Sequence, residues 1–366
     1  MTSKIIASTR AQQEQAEQIL DTAFPLYRQA YSDRTAWLMA CLSELAYIRF
    51  NPFTPSKFTE DRLEDMVNQL SRNKADPRIG KLLSLLNNLV YDHQAEEATL
   101  KNELRLLNSA RLIDTFDEDG TQAILVELEQ YHVLAFRGTE ATSLEDIKTD
   151  IRAITTECVS GGQVHTGFKQ AYEAVESQIE RSLHQLDNSK PLMITGHSLG
   201  GALAMVAAKR LGFKNGIAAC YTFGAPRVGN EEWISSIKTP IYRIVNAADA
   251  VTMLPPNKIT IGGLSTILGI LPYVGRWLQK KLLEKFNGYI HGGNMRYLTN
   301  CDAGKYEEVR LLYSVSFAYR LKAWFLGNFK YNKFLADHSI SIYRKKLAII
   351  AVKRNPARAV KLPEVA

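Results

Sequence analysis

The sequence predicts an α/β fold, a mostly parallel sheet covered on both faces, with an N-terminal helical lead-in and helical insertions. Three observations predict it. From residue 165 onward short apolar runs alternate with longer amphipathic ones, the pattern of strands buried on both faces and joined by helices. The composition of the 366 residues, 46% apolar and 23% charged, is that of a globular chain and excludes disordered, collagen-like and coiled-coil classes. A G-x-S-x-G pentapeptide falls where one such strand meets a helix.

Residues 1–111 read as the lead-in, packed on the core domain. Ser32 or Asp33 caps a helix through AWLMACLSELAY. Leu63, Met66, Val67 and Leu70 recur at i, i+3, i+4 and i+7 behind a Thr59 cap, and Leu82, Leu86, Leu89 and Val90 repeat the spacing. The pattern changes near residue 112, where LIDTF, AILVELE and YHVLAF read as strands opening the sheet. Asp117, Asp119 and Gly120 form a turn, since the rest of a calcium-loop spacing is missing. Then come helix GFKQAYEAVESQIERSLHQL, strand PLMIT, helix LGGALAMVAAKRLG, and strands IAACYTF and IYRIVNA. The core domain is expected over 112–350, with insertions at about 257–290 and 303–335 and a basic tail at 351–366.

Cys41, Cys158, Cys220 and Cys301 show neither metal-ligand spacing nor a disulfide framework. The amino terminus is polar and Gln-rich rather than a secretory signal. Cytoplasm is the default expectation, with a peripheral membrane location or non-classical export as alternatives. The net charge of +7 is uneven, because residues 276–366 hold 18 Lys/Arg against six Asp/Glu. That quarter is attracted to anionic surfaces. Residues 259–275 are uncharged but too short and Gly-rich to span a bilayer. RWLQKKLLEKF after them, and SFAYRLKAWFLGNFKYNKF at 316–334, mix aromatic and basic groups as interfacial segments do.

The chemistry centres on Gly196-His197-Ser198-Leu199-Gly200. A serine at a strained strand-to-helix turn needs side-chain-free neighbours two positions away, and Gly196 and Gly200 supply them. Its hydroxyl needs a base, and the base needs an acid, in the chain order Ser, Asp or Glu, His. Only His291 and His338 follow Ser198, and His338 is preferred because a late loop returns it to the turn. Asp249, at the end of IYRIVNA, is preferred as the acid over Asp302. His197 is expected to point elsewhere. The N–H of Leu199 and a donor at Thr139, beyond YHVLAF, would hold an oxyanion.

FRGT at 136–139, VHTGF at 164–168, GHSLGGALA at 196–204, YTFGAPRVGN at 221–230, IVNAADAVTMLPP at 244–256 and DHSISIY at 337–343 together resemble the class 3, fungal-type lipase family and its bacterial relatives. The resemblance implies an α/β-hydrolase fold, Ser198 as nucleophile, Asp249 as acid, His338 as base, and Thr139 with Leu199 as the oxyanion hole. It further implies that ATSLEDIKTDIRAI, after Thr139, is a lid. The expected activity is cleavage of lipid esters, triacylglycerol or phospholipid at the A1 position, through an acyl-enzyme, without metal or organic cofactor. A lipid ester and a membrane surface are the expected partners, and nucleic acid is not. An esterase of small soluble esters, or a non-catalytic membrane-binding or interaction protein on the same scaffold, are the alternatives.

Overall fold

The computed structural model describes residues 5–22, 24, 29–48, 93–108, 110–139, 155–158, 161–186, 189–256, 288–302, 304–320 and 336–355. The helices expected at 59–70 and 82–90, the lid segment, the interfacial stretches at 257–287 and 321–334, and most of the tail lie outside them. The chain parts into two units, Met1–Tyr47 with Glu103–Ala366, and Ile48–Asn102. The described part of the second unit is Ile48 and the greater part of a helix, His93–Arg105.

The first unit is built on one eight-stranded sheet. Its first three strands, β1 (Arg111–Glu118), β2 (Thr121–Glu127) and β3 (His132–Phe136), form an antiparallel meander. Glu118 pairs with Thr121 across Asp119-Gly120, whose φ angles of 48° and 80° make the two-residue turn that suits the strand twist. A separate antiparallel pair, β4 (Thr155–Glu157) and β5 (Gln163–His165), is one that sequence patterning missed because each strand has only three residues. From β3 the main sheet is parallel through β6 (Leu192–His197), β7 (Ile217–Phe223), β8 (Ile241–Asn246) and β9 (Asn294–Leu298), and β10 (Leu311–Leu312) closes it antiparallel. The spatial order is thus β1-β2-β3-β6-β7-β8-β9-β10.

The described helices are, in chain order, α1 (Arg10–Leu20), α2 (Asp33–Leu45), α3 (His93–Arg105), α4 (Thr166–His184), α5 (Leu199–Arg210), α6 (Glu231–Ser235) and α7 (Ile340–Arg354), and those of the first unit cover both faces of its sheet. On one face α4 and α5 pack Val175, Ile179, Leu203 and Val206 against Leu134, Phe136 and Ile194. On the other lies α2, capped by Ser32 rather than Asp33, with the Ser32 hydroxyl accepting the Thr35 N–H. Residues 35–43 of α2 are all buried, which explains its weak amphipathic period, and Trp37 alone contributes about 3 kcal/mol of burial. Ser43 meets Thr195 of β6 at 2.9 Å, a polar tie across that layer of which the sequence gives no hint. Against α2 packs α7. Its Arg344 pairs with Glu44 and donates to the carbonyls of Ile5 and Ile6, whose N–H groups donate to Glu103. The chain start is thereby clamped to the layer that carries the last catalytic candidate.

Candidate active site

Ser198 stands between the end of β6 and the start of α5 with φ 56° and ψ −125°, a conformation costing about 1–3 kcal/mol that the surroundings must impose. Its N–H donates to the Phe223 carbonyl at 2.9 Å, and its own carbonyl accepts the Gly201 N–H at 3.0 Å. The glycines are required by space. A Cβ on Gly196 would collide with the Gly200 carbonyl, and one on Gly200 with the Phe136 carbonyl. Strand and helix therefore approach only as glycine permits, which thrusts the Ser198 hydroxyl out of the turn.

His338 is the last residue of a helical segment that ends just before the Ser339 cap of α7. Its Nε2 lies 2.8 Å from Ser198 Oγ, and its Nδ1 lies 3.0 Å from both carboxylate oxygens of Asp249. A carboxylate only accepts, so Nδ1 carries the proton and Nε2 presents its lone pair to the serine hydroxyl. The structure thus brings together the three residues the sequence prefers. Asp249 follows β8 and is fully buried. Its Oδ1 accepts the Val251 N–H at 3.0 Å and its Oδ2 the Tyr343 hydroxyl at 2.6 Å. Burial and the neighbouring Asp249 charge hold Tyr343 well above the usual phenol range, so it remains a donor.

The alternatives lie elsewhere. Asp302 is exposed in a turn after β9. His291 is bound to the Thr252 carbonyl at 2.6 Å. Leu199, as the first residue of α5, has an N–H without an intrahelical acceptor. Thr139 lies three residues past β3 and directly follows Gly138, where an added Cβ would come within 3.2 Å of Ser198 Cβ. The strand exit is thus laid against the nucleophile, where an oxyanion donor belongs.

Four supporting residues escape the sequence reading. Gly224 has φ 61°, and a Cβ there would come 2.7 Å from Asp249 Oδ2 and 3.0 Å from His338 Nδ1. Asp337 accepts the Ala248 N–H at 3.2 Å, and its carbonyl accepts from Asn246 at 2.8 Å, tying the base loop to the acid loop. Tyr343 sits five residues beyond His338, a spacing inside DHSISIY that the motif match already contained. His197, rather than pointing into unrelated structure, lies under the site. Its Nε2 is 2.6 Å from the His338 carbonyl, its Nδ1 is 2.7 Å from the Tyr47 hydroxyl, and its ring centroid is 4.6 Å from that of His338. The carbonyl fixes the proton on Nε2, so Tyr47 donates to Nδ1 and the ring is neutral.

Burial, then the neighbouring His338, pushes His197 well below the usual histidine range. Burial and three arginines do the same for His291. Both are neutral when folded but accept a proton when unfolded, so their stabilising contribution is full above about pH 6.5 and is lost as pH falls through the unfolded value toward the depressed folded one. Each steepens the stability profile by up to about 1.4 kcal/mol per pH unit below that point. Urea titrations from pH 7.5 to 5 should therefore show a shallower slope for His197→Asn than for the native chain. Equal slopes would mean that His197 is already protonated in the fold.

Residues 133–259 match the family described as lipase, class 3. The chain is 38% identical over 108 residues to the secreted mono- and diacylglycerol lipase 1 of Fusarium solani, covering 28% of this chain and 32% of that one. It is 30% identical over 179 residues to the chloroplastic phospholipase A(1) DAD1 of Arabidopsis thaliana, covering 42% and 40%. Among solved structures, the lipase of Rhizopus microsporus var. chinensis aligns over 79% of this chain and 90% of its own, at 22% identity and a TM-score of 0.45. The chain spans about a third of the length of curated relatives it matches, 32% of the Fusarium lipase and 35% of a Rhizopus niveus lipase. The Fusarium relative is named as secreted, and the cytoplasmic default finds no support among these proteins. Among the described residues, no helix is long and apolar enough to cross a membrane.

Proposed function

Taking the class 3 lipase match over residues 133–259 as premise, we propose that this chain is a serine carboxylic-ester hydrolase acting on lipid esters through an acyl-enzyme. The observation that supports it most is the 2.8 Å approach of His338 Nε2 to a serine hydroxyl held on a positive-φ turn. Ser198 attacks the ester carbonyl while His338 takes its proton. The imidazolium formed is stabilised and oriented by Asp249, whose second oxygen is occupied by Tyr343. The tetrahedral oxyanion is held by the N–H of Leu199 and a donor at Thr139, each such donor being worth about 10²–10³ in rate. His338 returns the proton to the departing alcohol, and water repeats the sequence to free the fatty acid.

Among lipid esters, the basic carboxyl-terminal quarter favours a substrate in an anionic bilayer, with peripheral contact through the segments at 276–286 and 316–334 other than the buried Arg320. A phospholipid cleaved at the A1 position fits that surface, and a relative named as a phospholipase A(1) favours the same reading. Turnover of p-nitrophenyl butyrate, a triglyceride emulsion and phosphatidylglycerol vesicles should be compared, with vesicle binding followed by co-sedimentation. Fatty-acid release from the vesicles and binding that rises with their anionic fraction are expected. Hydrolysis confined to the soluble ester, with binding indifferent to lipid charge, would overturn the lipid assignment.

A further inference from the structure

Behind the acid loop lie three arginines that the chemistry above does not use. Arg227, Arg243 and Arg320 are only 4%, 6% and 4% exposed. Arg227 donates through Nη1 to the carbonyls of Met253 and Pro255, and its backbone N–H donates to the Leu254 carbonyl at 2.7 Å. Arg320 Nη2 donates to the Asp249 carbonyl at 3.1 Å and to the Thr252 hydroxyl. Arg243 rises from β8 opposite Thr222 of β7. Arg227 and Arg320 therefore converge on the short helical turn Val251–Met253, and Arg243, on the strand that leads toward it, is near enough to both for their charges to act on one another.

Several of their remaining donor nitrogens are unused. Nε of Arg227, Nε and Nη1 of Arg243, and Nε of Arg320 are buried with no acceptor among the described residues, and the same holds for the Thr222 hydroxyl. Buried charged donors rarely stay unpaired, because the hydration each loses on burial is then not replaced. The guanidiniums also repel one another. Burial and that repulsion bring Arg227 and Arg243 down to about 9, which still leaves both cationic at neutral pH. His291, which the same three charges face, offers them no counter-charge. It is held neutral by burial and their field while donating to the Thr252 carbonyl. Asp249 lies near Arg320, but its oxygens are taken by His338, Tyr343 and Val251. Asp337 is committed to the Ala248 N–H.

Three like charges, four idle guanidinium nitrogens and an idle hydroxyl make a site with the wrong charge to be left to itself. We propose that Arg227, Arg243, Arg320 and the Thr222 hydroxyl line a buried binding site for a small inorganic anion. Heads this closed to solvent admit a bare ion, a halide or a compact oxyanion, rather than an organic acid. The ion would stiffen the 249–255 loop from behind, since two of the three arginines already grip its carbonyls.

Two measurements on the native chain test this. In crystals grown with sodium bromide, an anomalous peak is expected within about 3.5 Å of the idle guanidinium nitrogens. In thermal unfolding at fixed ionic strength, replacing gluconate by chloride should raise Tm saturably by several degrees, as binding to the folded state alone requires. Phosphate in place of chloride distinguishes the two ion types, because a saturable rise with phosphate only would assign the same site to a tetrahedral oxyanion. Arg243→Met should abolish whichever response is found. Identical Tm values in gluconate, chloride and phosphate, together with a bromide map without a peak there, would overturn the proposal. The diffraction result stands even if the variant does not fold.

Discussion

Ser198→Ala is expected to lower kcat on any ester substrate by about 10⁶-fold while leaving the fold intact, because members of such a catalytic unit fail together. The substitution removes one oxygen and keeps a Cβ, so the strained φ of 56° is neither relieved nor worsened. The backbone bonds to Phe223 and Gly201 are untouched. Tm should therefore move by no more than a degree or two, corresponding to about 0.5 kcal/mol. Paired measurements of ester hydrolysis and thermal unfolding separate lost chemistry from lost structure. Activity that survives in a folded Ser198→Ala protein would remove the serine from the mechanism.

Asp249→Asn is the second large effect, and it acts without changing shape. The carboxylate accepts from His338 Nδ1, Val251 N and Tyr343 O–H. An amide can offer its oxygen to only one side, so its NH₂ group must face another donor. If the NH₂ faces the imidazole, the Nδ1 proton moves to Nε2 and the ring can no longer accept the serine proton. If it faces Tyr343 or Val251, a buried donor is left unsatisfied at a cost of about 1–3 kcal/mol. The expected result is a fall in kcat of about 10⁴-fold with KM little changed, and a lowered Tm. A variant within tenfold of native kcat would show that Asp249 does not orient the base.

The catalytic candidates were legible because each rests on a local signal. Ser198 lies in a pentapeptide whose strand and helix are visible on either side. Asp249 closes an apolar run, and His338 is one of two histidines left in chain order. The groups that support them were hidden for a common reason: they depend on contacts between distant segments. Nothing local shows that Gly224 is pressed against Asp249 and His338. Likewise, strand alternation puts His197 on the face opposite α5, but only the folded chain reveals that residue 338 and Tyr47 meet it there.

The lead-in repeats the lesson. In α2 the cap was readable to within one residue, whereas burial on all sides erased the periodicity that would have revealed its place under β6. The arginines are the extreme case. Arg227, Arg243 and Arg320 are spread over 94 positions of a basic chain, and no spacing rule separates them from surface charge.

Labelling with a fluorophosphonate probe and then peptide mapping tests the central claim most directly, because only a serine activated by its neighbours reacts at a useful rate. The account predicts one adduct per folded chain, on the peptide containing Ser198, absent from Ser198→Ala and strongly slowed in Asp249→Asn. A folded native protein that forms no adduct, or one whose adduct persists in Ser198→Ala, would contradict it.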